Sequence, residues 1–259
     1  MLFVGDGESS CHPILQTTSL ISTVKKQLEW SNNLASISTG SYPVVFTPSG
    51  VASALISPLM VAFSGKTVLE GASPIGNKLG ELVFNPMISL YDDPTRPFRP
   101  SSRPCDDEGI ASQCTPLIER GIVRNFLYDL QTAGLTGRLS TGNAGRGRGL
   151  PSPSPSAFII SPGNISFEQI ISDMKTGLVI EELMGAEQGN ILGGDFSGNV
   201  LLGFKVENGK IVGRVKDTMV SGNVYQLLND ISAVGSDARW LGGLNTPSLY
   251  FPGISVASK

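Results

Sequence analysis

The dipeptide Asn208-Gly209 stands between two runs rich in apolar and β-branched residues, 201–206 and 210–215. A type I′ turn needs positive φ at both central residues, and Asn followed by Gly reaches it with little strain. The segment therefore reads as a β-hairpin, which only an antiparallel ladder accommodates. Arg120-Gly121 divides residues 112–119 from 122–130 in the same way. Two hairpins among helical stretches predict an α+β fold, a largely antiparallel twisted sheet with flanking helices, rather than a parallel α/β fold.

The remaining elements follow from periodicity and turn chemistry. The first 20 residues read as a loop, with turn residues and no period from Gly5 to Ser10. Apolar positions Ile21, Val24, Leu28, Leu34 and Ile37 predict a helix over 21–37. Residues 42–46 read as a buried strand, after which Ser49 is placed to cap a helix through Phe63. Residues 91–104 and 140–155 are rich in Pro, Arg or Gly and read as irregular. Ser166-x-x-Gln169 is a capping-box pattern opening a helix to about Thr176, and 177–183 reads as a strand. A short helix over 224–234 should turn Tyr225, Leu228 and Ile231 inward.

Composition removes several functions. A net charge of −3 gives no electrostatic footprint for duplex nucleic acid. The longest apolar run, 51–63, contains Pro58 and falls short of the roughly 20 residues of a membrane span. Residues 1–6 lack the basic and apolar regions of a secretory signal, so the expected setting is the cytoplasm, without a membrane partner. Cys11, Cys105 and Cys114 form no C-x-x-C pair and read as free thiols. With His12 as the lone histidine, the chain is poorly equipped for a zinc site, which draws on several His or Cys ligands.

The candidate chemistry lies in four places. Asp92-Asp93 and Asp106-Asp107-Glu108 could supply oxygen ligands to a hard cation, although turn and cap duty explains them as well. Arg146-Gly147-Arg148-Gly149 is a single RGG-like copy without neighbouring aromatics, better read as a solvated loop. Gly193-Gly194-Asp195-Phe196-Ser197-Gly198 would let a ligand approach the backbone, but it lacks the nucleotide-binding spacing and also suits a tight turn. No serine can be paired with His12 as nucleophile and base, and no catalytic residue is assigned.

An ordered set of blocks then resembles one family. These are Asp107-Glu108-Gly109, Ser140-Thr141-Gly142-Asn143-Ala144, and Gly177-Leu178-Val179-Ile180-Glu181-Glu182-Leu183-Met184-Gly185. After them come Gly194-Asp195-Phe196-Ser197-Gly198, Gly203-Phe204-Lys205-Val206-Glu207-Asn208-Gly209-Lys210 and Val234-Gly235-Ser236-Asp237. Together they are similar to the TldD/PmbA peptidases, from about Thr39 onward. The resemblance implies a family C-terminal domain over 39–259, preceded by a lead-in helix and N-terminal remnant over 1–38, with a further N-terminal domain outside these residues.

The resemblance also implies a two-subunit cytoplasmic metallopeptidase that degrades or matures small unstructured peptides. One subunit type, TldD, carries zinc on a His-Glu-x-x-x-His helix, with a Cys ligand near its C-terminus. The other, TldE or PmbA, has the same fold without the metal. Here the stretch corresponding to that helix, 49–63, holds no His or Glu, and 241–259 holds no Cys. The expectation is a TldE/PmbA-like partner subunit with no metal ligand or cofactor of its own, the zinc residing in the other subunit. Gly194, Asp195, Phe196 and Ser197, with Asn143 and Arg146, are the candidates for lining the peptide cleft. The alternatives are a stand-alone peptidase with a carboxylate-bound metal at Asp92, Asp93, Asp106 or Asp107, and a peptide- or protein-binding module without a peptidase role.

Overall fold

The computed structural model describes residues 4–15 and 17–258. The parts of the predicted lead-in loop that fall on residues 1–3 and 16 lie outside them. Strands Gly40–Phe46, Thr176–Met184, Asp195–Glu207, Thr218–Asn223 and Leu249–Ser258 pair in that order, and the last returns to pair with the first. The result is a closed five-stranded barrel, antiparallel except where Gly40–Phe46 runs parallel to Thr176–Met184. Lys210–Arg214 and Ala233–Val234 pair on its outside. A second, six-stranded sheet contains Leu90–Asp92, Thr115–Glu119, Ile122–Val123, Phe158–Ile160, Arg239–Leu241 and Leu244–Thr246. The predicted mixture of helices with a largely antiparallel sheet describes both.

Side-chain alternation divides the core in two. Val44 and Phe46 join the large cluster that includes Phe196, Phe251 and Ile254. Val45, between them, points the other way, into a smaller cluster with Val179, Phe204, Ile170 and Met174. Phe167–Asp173 covers this second cluster by burying Ile170 and Ile171. Both hairpins turn as their sequences predict: φ is +49° and +77° at Asn208 and Gly209, and +49° and +80° at Arg120 and Gly121.

Several boundaries differ from the sequence reading. The first helix is Thr18–Trp30, not 21–37, and Ile21, Leu28 and Leu34 are exposed while Gln27 is buried. Trp30 sets this rotation: its ring packs edge-on to Phe204, centroids 5.4 Å apart, and offers more apolar surface than either aliphatic residue. Thr47, not Ser49, caps the next helix, accepting the Gly50 N–H at 3.4 Å. Residues 48–62 form two short helices, Pro48–Ala54 and Ile56–Ala62, separated at Leu55. Pro58 has no N–H for the Ala54 carbonyl, so an uninterrupted ladder cannot form there.

Ser166 caps as expected, accepting the Gln169 N–H at 3.1 Å, but the box is only half made, because the Gln169 amide turns to Asp173 at 2.8 Å. That helix ends at Asp173, three residues before the Thr176 strand begins. Tyr91 and Asp92, read as loop, belong to the strand Leu90–Asp92. Gly193-Gly194 form the turn, while Asp195, Phe196 and Ser197 already lie in a 13-residue strand. In Val224–Asp230, Val224, Leu227 and Leu228 are buried, with Ile231 buried just beyond the helix and Tyr225 only half-buried. Leu130–Thr136, Thr218–Asn223 and Leu249–Ser258 carry no strong signal in the sequence.

Gly50 sets how closely Pro48–Ala54 approaches the barrel, since a Cβ there would strike the carbonyl oxygen of Ile180. Gly134, in the helix Leu130–Thr136, has open space around it. Gly50→Ala should cost about 3 kcal/mol through enforced separation of helix and strand. Gly134→Ala should gain about 0.5 kcal/mol from reduced unfolded-state entropy. Urea denaturation of the two variants against the parent measures both.

Candidate functional site

Thr176–Met184 carries a β-bulge: Ile180 pairs with Gly203, but Glu182 pairs with Leu202 and Leu183 with Val200. Alternation after Ile180 turns Glu181 out of the barrel wall beneath the Pro48–Ala54 helix, and the slip returns Leu183 to the large core beside Ile180. Its carboxylate accepts the Thr47 hydroxyl at 3.0 Å, with the Gln27 side chain beside it. Burial raises its pKa, opposed by the Arg239 charge, the Thr47 hydroxyl and the Gln27 amide and aided by Asp237.

Hollows open on both sides of Gln27 and Glu181. One, of about 250 Å³, has Trp30, Phe167 and Pro48 as an apolar wall and Thr47, Asp237 and Arg239 at its polar side. The other, of about 340 Å³, runs past Ser49, Ser53 and Leu202. Arg239 donates from Nη2 to Ser49 Oγ at 2.6 Å. Asp237 is saturated by Ser248, accepting its N–H at 2.9 Å and its hydroxyl at 2.6 Å. At the rim Lys26 and Glu168 neutralise each other at 3.3 Å. Sequence reading missed this cleft; its available signal was Glu181-Glu182, two acids inside an otherwise apolar strand.

The side chains of the two helices do not suit zinc. Across 48–62 the non-aliphatic groups are Ser49, Ser53, Ser57 and the Met60 thioether. Each serine is engaged: Ser49 by Arg239, Ser53 by the Leu183 N–H at 3.2 Å, and Ser57 as donor to Glu187 at 2.6 Å. Cys11, Cys105, Cys114 and His12 are exposed. No group of three or more His, Cys, Asp or Glu side chains among the described residues could hold a metal ion.

The sequence-derived candidates fall into two separate clusters. At the first, Gly194 has φ +81° and packs against the Tyr225 ring, which a Cβ would strike. Asn223 Nδ2 donates to the Gly193 carbonyl at 2.7 Å and to Asp195 at 2.8 Å. The Tyr225 hydroxyl lies 3.2 Å from the Leu192 carbonyl and 3.4 Å from that of Pro58, near the second helix. Burial pushes its pKa up to about 12, so it is a donor at neutral pH. Asp195 and Ser197 are exposed, whereas Phe196 lies in the barrel core with its ring edge-on to Phe46.

Asn143 and Arg146 belong to the second cluster. Asn143 is buried and donates to Asp92 at 2.6 Å, while the exposed Arg146 gives its backbone N–H to Asp107 at 2.6 Å. The acids that could have bound a cation hold loop backbone instead. Asp92 also accepts the Ser156 and Ala157 N–H groups at 2.8 and 2.7 Å. Asp106 accepts those of Glu108, Ile110 and Ala144 at 3.0, 2.9 and 2.9 Å. Asp93 takes Thr95 and Arg96. Donors directed at these oxygens compete with cation binding and favour the loop-anchoring role.

Residues 39–258 match the family model described as the PmbA/TldA metallopeptidase C-terminal domain. An uncharacterized protein of Methanocaldococcus jannaschii is 35% identical over 81% of this chain and 49% of its own length. Metalloprotease PmbA of Escherichia coli O157:H7 is 30% identical over 86% of this chain and 47% of its own. The crystal structure of TldE from Thermococcus kodakarensis superposes with a TM-score of 0.83 at 28% identity, covering 94% of this chain and 56% of that one. The chain thus spans about half the length of the curated relatives it matches.

Asp92→Ala strands two backbone N–H groups and the Asn143 amide and should cost about 3 kcal/mol or more. Asp92→Asn should cost about 1 kcal/mol, because Asn143 can turn its unpartnered Oδ1 toward the new donor. Burial also raises the Asp92 pKa, against its hydrogen bonds and Arg103. The native state then keeps this proton to higher pH than the unfolded chain, so its contribution to stability falls as pH rises through that window. Asp92→Asn should accordingly gain on the parent as pH rises from the ordinary aspartate range toward neutrality. Urea melts across that range check both effects. A divalent-cation stabilisation present in the parent and lost in both variants would restore the metal reading.

Proposed function

The chain belongs to the PmbA/TldD metallopeptidase family, and from that premise we propose that it acts as the TldE/PmbA-like, non-catalytic subunit of a cytoplasmic heterodimeric metallopeptidase. The reaction is hydrolysis of small unstructured peptides at zinc held by the partner subunit, whose metal supplies the activated water. This chain contributes part of the subunit interface and one wall of the peptide cleft, with Gly194, Asp195 and Ser197 at the Tyr225 end of the helix pair. Arg146 lies on a separate exposed loop, and the buried Asn143 helps to shape that loop from below.

The observation that carries the proposal is the helix pair Pro48–Ala54 and Ile56–Ala62, corresponding by resemblance to the zinc helix and furnished with serines already engaged elsewhere. Exposed Ile21, Leu28 and Leu34 add apolar surface of the kind a protein partner covers. No helix among the described residues is long and apolar enough to cross a membrane, which agrees with this setting.

Co-expression with a zinc-helix homologue from the same genome, followed by size-exclusion chromatography with light scattering, tests the reading. The expected result is one 1:1 particle that cleaves unstructured peptides and loses activity with a chelator, while this chain alone cleaves nothing. Separation of the two proteins, or chelator-sensitive cleavage by this chain alone, would overturn it.

A further inference from the structure

Gln27 is 2% exposed, and its Oε1 is buried without a hydrogen-bond partner. Glu181 stands beside this side chain and favours the donor end of the amide on its own side, which leaves the oxygen unpartnered. Arg239 presents the opposite deficiency nearby: Nη2 is held by Ser49, but Nε has no acceptor. Both side chains line the hollow walled by Trp30, Phe167 and Pro48. An orphan acceptor and an orphan donor lining one recess call for a group that both donates and accepts, since a buried polar atom without a partner is costly.

A simple ion meets only half of it. An anion would answer Arg239 but face the Gln27 oxygen and Glu181, and a cation would answer those but face Arg239. The rim is neutral through Lys26 and Glu168, and Asp237 accepts from Ser248 at both of its oxygens. A secondary amide carries one N–H and one C=O, and the apolar wall beside it suits a bulky apolar side chain.

We propose that the hollow between Trp30–Phe167 and Gln27–Arg239 seats one backbone amide of an extended peptide, N–H to Gln27 and C=O to Arg239, with a large apolar side chain against Trp30, Phe167 and Pro48. The inference rests on the peptide-cleft reading for its ligand class and adds the subsite and its preference. It separates this cleft from the Gly194 turn, because it assigns the backbone contacts to the first helix and the strand Arg239–Leu241.

The test is isothermal titration calorimetry of the full chain with unstructured hexapeptides. The set comprises one rich in Leu and Phe, one rich in Asp and Glu, and the apolar one N-methylated at each amide in turn. The apolar peptide should bind, and the acidic one should bind at least about tenfold more weakly. N-methylation at one position should weaken binding about tenfold, the worth of one hydrogen bond. Gln27→Leu should reproduce that loss, whereas Gly134→Ala, in the separate helix Leu130–Thr136, should not.

The N-methyl series uses the parent protein and so remains decisive if Gln27→Leu fails to fold. No binding, equal binding of acidic and apolar peptides, or indifference to N-methylation at every position would overturn the inference. Formation of the 1:1 particle in those circumstances would leave the partner-subunit reading standing. Peptide binding with the expected pattern but no particle would do the reverse.

Discussion

The ladder between Gly40–Phe46 and Leu249–Ser258 is the constraint on which the rest of the molecule depends. These strands lie near opposite ends of the described chain, and without their pairing the barrel is an open sheet with two bare edges. Closure creates the enclosed face where Phe46, Phe196 and Phe251 meet edge-on, with centroids 5.9 to 6.1 Å apart. Closing so small a barrel requires bends, and the sequence places one at Pro43, where the register shifts between Tyr42 and Val44. A residue without an N–H is least costly at such an irregularity. A second break occurs in Thr176–Met184, where the slip brings Leu183 back to the core face three residues after Ile180. Alternation already turns Glu181 away from the face that Ile180 takes, so the cleft's carboxylate follows from the pleat and the break re-seats the strand beyond it.

Local chemistry made part of this legible in advance. Asn208-Gly209, Arg120-Gly121 and the Ser166 cap act within a few residues, and each appears where the sequence placed it. Elements that depend on distant partners were much harder to read. Leu249–Ser258 contains Pro252 and Gly253, both poor strand formers, yet it is held by Gly40–Phe46 on one side and Thr218–Asn223 on the other. The first helix shows the same limit in reverse. Its aliphatic positions suggested one inward face, and Trp30 selected another by reaching Phe204, turning Gln27 inward and Ile21 outward. Since Gln27 belongs to the cleft through that rotation alone, no periodicity argument could have located it.

Two buried carboxyls show how one physical cost leads to different roles. Burial raises the pKa of both Asp92 and Glu181, and hydrogen bonds lower it in each. Around Asp92 the donors are two backbone N–H groups and a buried amide, so the group knits residues 143 and 156–157 to its strand. It is a closed site with nothing left to offer a ligand. Glu181 takes a donor from the Thr47 side chain and has the Gln27 amide beside it, whose buried oxygen has no partner although the residue lines the hollow. Saturation marks the first as scaffold, and the residual acceptor distinguishes the second.

The helix pair 48–62 connects these observations. Its inner side chains, Val51, Leu55 and Leu59, sit in the large core, and Gly50 lets the backbone rest on the Ile180 carbonyl. Such close seating fixes the positions of the serines within a narrow range. Ser49, Ser53 and Ser57 recur every four residues, and each holds a different neighbour: Arg239, the bulged strand at Leu183, and Glu187 beside the 186–188 turn. A helix that binds a metal must present its donors unencumbered toward a common centre, as the tetrahedral geometry of zinc requires. These hydroxyls instead each reach a different element. Their geometry shapes a surface and does not converge on an ion, which is the arrangement the proposed non-catalytic role calls for.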